Sequence, residues 1–228
     1  SNTVAFSIGN KGYISTGYNS LSERYNDLWE YNTETYTWAQ KENLPASPRL
    51  ASVAFTIGNK GYLGTGYKGS GSALDDFFND FWEYNPETNV WASKSALPGP
   101  ARQYAFGFSV GNKGYIGSGQ PGLSGILNDF YEYDPMQNQW VQKGDCPARI
   151  DPVAFSIGDR AYIGTGQSAG ASMYYNDFYE YNPTADQWIP KTSFPGAPRF
   201  ARWSLGLRER CKAAIEVGRD PEVDMQAR

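Results

Sequence analysis

The chain has 228 residues, 40% hydrophobic and 16% aromatic, with a formal net charge of −4 and no histidine. This fits one domain with an ample core, and the scattered Lys and Arg give neither nucleic acid nor an anionic membrane an obvious footing. The lack of histidine removes the commonest general base, the commonest metal ligand and the usual partner of a nucleophilic Ser or Cys.

No apolar run approaches the roughly 18 residues of a membrane-crossing helix, so no membrane insertion is expected. No signal-peptide pattern opens the chain, which begins inside a repeat at "TVAFSIGN". Cys146 and Cys211 are too few for a disulfide framework and lack metal-ligand spacing, so both read as incidental thiols.

Four units follow one another in register. The first runs "VAFSIGNKGYISTG", "NDLWEYN", "YTWAQ" and "LPASPR", and three later copies keep that order. Tyr13, Tyr62, Tyr115 and Tyr162 recur 49, 53 and 47 residues apart. Within each unit, alternating β-branched and aromatic residues between Gly, Asn and Pro clusters predict four short strands, A to D.

In strand A, Val4, Phe6 and Ile8 share one face and Ala5 and Ser7 the other, which suits a sheet covered on both sides. The glycines ending strand B (Gly17, Gly66, Gly119 and Gly166) are expected to clear space for a neighbouring aromatic ring. Strand C carries Trp29 and Tyr31, Trp82 and Tyr84, Tyr131 and Tyr133, and Tyr179 and Tyr181; strand D carries Trp38, Trp91, Trp140 and Trp188. A stripe that recurs identically in every unit is inter-sheet packing rather than a cofactor box or sugar platform.

The A–B turn reads "GNK" three times and "GDR" once, and Ala161 stands where Gly12, Gly61 and Gly114 stand in the other units. A left-handed residue at that place would disfavour Ala. The turn is therefore expected to be a two-residue type II′ hairpin with Gly9, Gly58, Gly111 and Gly158 at its obligatory position.

The ordered set of Gly-x-Gly strand end, Asp-x-aromatic-x-Tyr strand, Trp some seven residues later and Pro-Arg-like link resembles the kelch repeat, in the variant of bacterial kelch and galactose-oxidase-like proteins. "TG" or "SG" replaces the usual Gly-Gly doublet. The resemblance implies an all-β fold, a β-propeller of four-stranded antiparallel blades, over residues 1–200, with blades near 3–50, 51–102, 103–149 and 150–199. Residues 201–228 lose the repeat and read as the start of a fifth strand A, a short helix through "LRERCKAAIEV", or both. Four units are fewer than kelch rings usually have, so the chain reads as a fragment of a larger ring, a closed four-blade ring with a capping tail, or an array whose reading frame is lost near residue 201; a partial ring would favour a homo-oligomer.

Function is expected at the end bearing the B–C and D–A connections, because the B–C loops vary in length and chemistry while the opposite turns barely change. Tyr18, Glu23, Arg24, Tyr67, Lys68, Asp75, Gln120, Gln167, Tyr174 and Tyr175 combine rings with hydrogen-bonding groups suited to a protein or glycan ligand. Each alone also reads as a solvated loop tip. Arg49, Arg102, Arg149 and Arg199 could ring the channel mouth for an acidic ligand, or pair with Asp27, Asp80, Asp129 and Asp177; recurrence favours pairing.

The copper chemistry of galactose oxidase does not carry over, since its histidine ligands are missing. Asp75 and Asp76 are adjacent carboxylates expected to lack the burial that separates two pKa values, and Asn26-Asp27 supplies too few oxygens for a calcium loop. No cofactor, metal or catalytic residue is expected. The sequence thus reads as a non-catalytic binding scaffold for a protein or carbohydrate, the resemblance favouring a cell surface or envelope. A sugar-active epimerase or hydrolase at the channel mouth is the alternative.

Overall fold

The computed structural model describes residues 2–19, 21–69, 76–171 and 173–200. The expected helix and fifth strand, with Cys211, lie outside the described residues, as does Asp75. The fold is all-β, four antiparallel sheets of four strands, each ordered as in the chain. Blade 1 comprises β1 (Val4–Ile8), β2 (Lys11–Ser15), β3 (Leu28–Asn32) and β4 (Thr37–Lys41); blade 2 comprises β5 (Val53–Ile57), β6 (Lys60–Gly64), β7 (Phe81–Asn85) and β8 (Val90–Lys94). Blade 3 holds β9 (Phe106–Val110), β10 (Lys113–Gly117), β11 (Phe130–Asp134) and β12 (Gln139–Gln142); blade 4 holds β13 (Val153–Ile157), β14 (Arg160–Gly164), β15 (Phe178–Asn182) and β16 (Gln187–Lys191).

Ile8 pairs with Lys11, leaving a two-residue loop, and Gly9 has φ +59° while Asn10 stays outside the left-handed region. The II′ hairpin recurs in all four blades, with Gly58, Gly111 and Gly158 at φ +60°, +59° and +59°.

The glycines that end strand B act differently from the expectation. Gly66 and Gly166 have φ +107° and +93°, and a Cβ on them would strike the backbone of the D–A link, Leu50 O at 2.8 Å and Ile150 O at 2.9 Å. They seat the link between blades rather than an aromatic ring. Ring clearance comes five residues earlier, where the turn motif opens strand B. A Cβ on Gly61 would meet Phe6 Cε2 at 2.3 Å, and one on Gly114 would meet Phe55 Cε2 at 2.4 Å.

Three aromatic interfaces join the four blades. Between blades 1 and 2, Phe6, Tyr13 and Leu28 pack with Tyr84 and Trp91; between blades 2 and 3, Phe55, Tyr62 and Phe81 pack with Tyr133 and Trp140. Between blades 3 and 4, Phe108, Tyr115 and Phe130 pack with Tyr181, Ala161 and Trp188. Each such ring removes roughly 150–250 Å² from water, the largest stabilising contribution in the molecule. The inner strands β1, β5, β9 and β13 pack in that sequence, and among the described residues β13 does not return to β1. The four blades form an open arc.

Candidate functional site

Three arginines are the largest fully buried side chains among the described residues. Arg49, Arg102 and Arg149 are 1%, 0% and 2% exposed, and each reaches from the D–A link into the next blade. Arg102 Nη1 and Nη2 donate to Asp129 Oδ1 and Oδ2 at 2.5 and 2.6 Å, Nη1 also to Ser118 O, and Nε to Pro100 O. Arg49 grips Asp80 and Thr65 O in the same way, and Arg149 grips Asp177 and Thr165 O. The guanidinium groups therefore clamp neighbouring blades and present nothing at the mouth, which answers against an acidic-ligand role for these three. Among the described residues Arg199 forms no such pair with an aspartate. It is exposed, with Nε donating to Ala197 O and its guanidinium 4.9 Å from the centre of the Phe194 ring.

The Asn-Asp pairs have an architectural role. Asn26 Nδ2 donates to Leu44 O and Ala46 O, fastening the start of β3 to the link, and Asn79 repeats this on Leu97 O. Asp76 departs from expectation: it is 6% exposed, because the loop folds back there through Lys68 N to Asp76 O and Phe77 stacks on Tyr67 at 4.6 Å.

The remaining loop residues divide. Glu23 is exposed and held by Asn19 Nδ2 at 2.7 Å; Arg24 Nη2 crosses to Gly69 O of blade 2 at 2.8 Å; Lys68 is exposed. Gln120 accepts from Gln103 Nε2 at 3.2 Å, and Tyr175 lies under the Arg149 guanidinium at 5.2 Å from its ring centre. Tyr18, Gln167 and Tyr174 come together in a central pocket of about 310 Å³, whose lining also includes Asn2, Tyr104, Asp151 and Phe200. Tyr174 stacks on Phe200 with ring centres 5.5 Å apart, and Asn2 Nδ2 donates to Tyr104 OH at 3.3 Å.

Those four additional lining residues were missed by sequence reasoning, although a signal existed. Ala51, Tyr104 and Asp151 each stand two residues after the clamp arginine, and Asn2 takes the matching place in blade 1. All four have φ of 53° to 56° and form a ladder around the inner rim: Ala51 N donates to Asn2 O, Tyr104 N to Ala51 O, and Asp151 N to Tyr104 O. Among the described residues, no group of three or more Cys, Asp or Glu is placed to hold a metal ion, and no helix is long and apolar enough to cross a membrane.

The sequence profile of the KLHDC2/KLHL20/DRC7 Kelch-repeats domain matches residues 1–145 of the chain. The chain belongs to the kelch-repeat family. The solved structure of YjhT is similar to this kelch array with a TM-score of 0.72 at 17% identity, over 86% of this chain and 66% of that one. That likeness concerns the fold, and the array spans just under two thirds of the length of YjhT. No curated protein matches the chain.

Proposed function

We propose that this kelch array is a non-catalytic binding scaffold that takes a short polar peptide segment of a protein partner into the central pocket. One observation carries the reading. At the inner rim, four equivalent left-handed positions carry Asn2, Ala51, Tyr104 and Asp151, where glycine would adopt the same backbone without penalty. Architecture repeats its residues from blade to blade, as the buried tyrosines and arginines do. These positions keep one strained geometry and differ in chemistry, the pattern of a recognition surface on a fixed frame.

The pocket offers Tyr18, Tyr104, Tyr174 and Phe200 as flat apolar walls, with Asn2 and Gln167 amides and the Asp151 carboxylate between them. Such a mix suits peptide amides and a basic or hydroxyl side chain. Rings beside amides also support a carbohydrate as a second reading. A sugar-active enzyme is less well supported, since Asp151 is the single carboxylate among the described lining residues and hydrolases of sugars use a pair.

The test is to probe peptide and glycan arrays with the full chain, then repeat with Tyr174→Ala and Asp151→Asn. Both variants should lose the captured peptide, whereas Met136→Ala, 86% exposed in the opposite turns, should retain it. Capture of glycans alone would replace the peptide reading. Peptide capture untouched by either pocket variant would place recognition elsewhere.

A further inference from the structure

The blade 4 side of the central pocket is held by backbone pairing. Gln167 bridges to Ile150 on one side and to Tyr174 on the other, with Gln167 N donating to Ile150 O and Ile150 N to Gln167 O, both at 2.9 Å. Asp151 follows Ile150 directly, so Asp151 and Tyr174 enter the lining from the two sides of Gln167. Gly166 N donates to Arg199 O at 2.8 Å, and Phe200 then lies beside Tyr174 with the two ring planes 14° from parallel. The other two rings are anchored in the same manner. Gly17, just before Tyr18, donates its N–H to Arg49 O at 2.8 Å, and Tyr104 N donates to Ala51 O at 3.1 Å. Walls fixed in this way lose little freedom when a guest enters.

Asp151 is the single charged side chain among the described lining residues, set among four aromatic rings and two amides. The buried arginine nearest to it along the chain, Arg149, is committed to Asp177. A carboxylate among ring faces attracts a cation twice, through the ion pair and through the negative faces of the rings. An anion would be repelled, and a neutral sugar would use the rings and amides without needing the charge. Among peptide cations, a lysine ammonium is a compact point with three donors, whereas a guanidinium is a plane with five, able to lie on a ring, fork onto a carboxylate and still reach amide oxygens. The molecule already uses that surround for arginine. Arg49 pairs with Asp80 and stands 4.0 Å from the centre of the Phe78 ring, and Arg149 pairs with Asp177 and stands 5.2 Å from that of Tyr175. The central pocket repeats carboxylate and ring with room left between them.

We infer that the central pocket is an arginine site: it takes the guanidinium of an arginine in the partner peptide, with Asp151 as its charged acceptor, the Asn2 and Gln167 amide oxygens for its remaining donors, and the Tyr104 and Tyr174 rings as walls. The inference rests on the peptide reading above and specifies its guest. Residues on either side of the arginine also have surfaces to cover. Leu21 and Met173 are 77% and 58% exposed, three residues after Tyr18 and one before Tyr174, so apolar neighbours of the arginine fit the loops beside the pocket.

The experiment titrates the full chain, by calorimetry, with four acetylated and amidated Ala-Leu-X-Leu-Ala peptides in which X is arginine, lysine, glutamate or citrulline, the last keeping the shape of arginine without its charge. Arginine should bind about 10- to 100-fold more tightly than citrulline, with lysine between them and glutamate weakest, and added salt should narrow the gap. Asp151→Asn should bring arginine down to the level of citrulline. Asn adopts the φ of 55° at this position as readily as Asp, so circular dichroism and Tm should stay parental. Tyr174→Ala should weaken arginine and citrulline alike. Citrulline binding as well as arginine, an arginine preference that survives Asp151→Asn, or no binding of any of the four would overturn the inference. Lysine equal to arginine would make the site one for positive charge in general and remove the assignment to a guanidinium. The peptide array separates this from the broader reading. Captured peptides without arginine that are lost with Tyr174→Ala would leave the scaffold reading standing and sink the arginine site, whereas capture insensitive to both pocket variants would sink the scaffold reading itself.

Discussion

Arg102 and Asp129 belong to neighbouring blades and share two parallel hydrogen bonds, with the guanidinium fully buried and the carboxylate 15% exposed. Such a pair gains little over a well-packed apolar replacement, but removing one partner strands the other charge. Arg102→Ala should therefore cost about 3–5 kcal/mol, read as a lower urea midpoint at unchanged slope. Arg102→Met combined with Asp129→Leu should recover most of that loss. Arg199→Ala, which removes an exposed guanidinium, should stay within about 0.5 kcal/mol of the parent. Equal effects for Arg102→Ala and Arg199→Ala would deny the clamp its structural role.

Gly61 and Gly12 occupy the same place in successive blades and should respond oppositely to one methyl group. Gly61→Ala drives a Cβ into the Phe6 ring and should destabilise by about 1–3 kcal/mol. Gly12→Ala meets open space at a φ outside the left-handed region, so it should be neutral or stabilise by about 0.4–1 kcal/mol through the unfolded chain. Thermal melts of the two variants suffice. A comparable loss for both would mean that Gly12 is already covered by another ring.

The blades were legible in the sequence because the turn, the strand C tyrosines and the strand D tryptophans each repeat in register. Ala161 alone was enough to assign the hairpin type. What a single unit cannot reveal is which neighbour a side chain meets. The ring-clearing role was therefore assigned to Gly66 when it belongs to Gly61, and the clamps run from Arg49 to Asp80 rather than within a blade. Phe81 and Phe130, buried at 1% and 0%, are less legible because each shares its strand C face with a glutamate, Glu83 or Glu132, rather than with a second ring. The pocket was half legible for a similar reason. Tyr18, Gln167 and Tyr174 stand in visibly variable loops, whereas Tyr104 and Asp151 sit beside a constant arginine, and only the inner-rim ladder brings them to the mouth.

Trp91 and Trp38 extend the contrast between a filled and an open interface. Trp91 is buried against blade 1 and donates Nε1 to Glu42 O, so Trp91→Ala should cost about 3–5 kcal/mol. Trp38 is half-exposed and packs on Tyr31, ring centres 5.0 Å apart, and Trp38→Ala should cost about 1 kcal/mol. Urea denaturation followed by circular dichroism measures both without relying on the tryptophan removed. A Trp38 loss as large as that of Trp91 would contradict an uncovered blade 1 face.

Stability should fall at both extremes of pH, for reasons of opposite sign. Burial, with the Glu30 charge nearby, pushes the Tyr84 hydroxyl up to about 12, and burial also raises Tyr13, Tyr62, Tyr115, Tyr133 and Tyr181. An acid held protonated in the folded state contributes its full stability below its unfolded value of about 10 and loses it as pH rises through the folded value. Alkaline unfolding should therefore begin above about pH 10, with buried tyrosinate absorbance appearing together with loss of circular dichroism. Glu30 behaves in the other direction. Burial alone would raise its carboxyl, but Tyr13 OH, Lys11 and Lys41 outweigh that and hold it below the ordinary carboxylate value. Its contribution is present above that ordinary value and is lost as pH falls through the lowered one. Glu30→Gln should remove that component of the acid-side decline. Tyrosinate absorbance that climbs steadily while circular dichroism stays native would show that the rings are open to solvent and that the blade interfaces do not hold them as described.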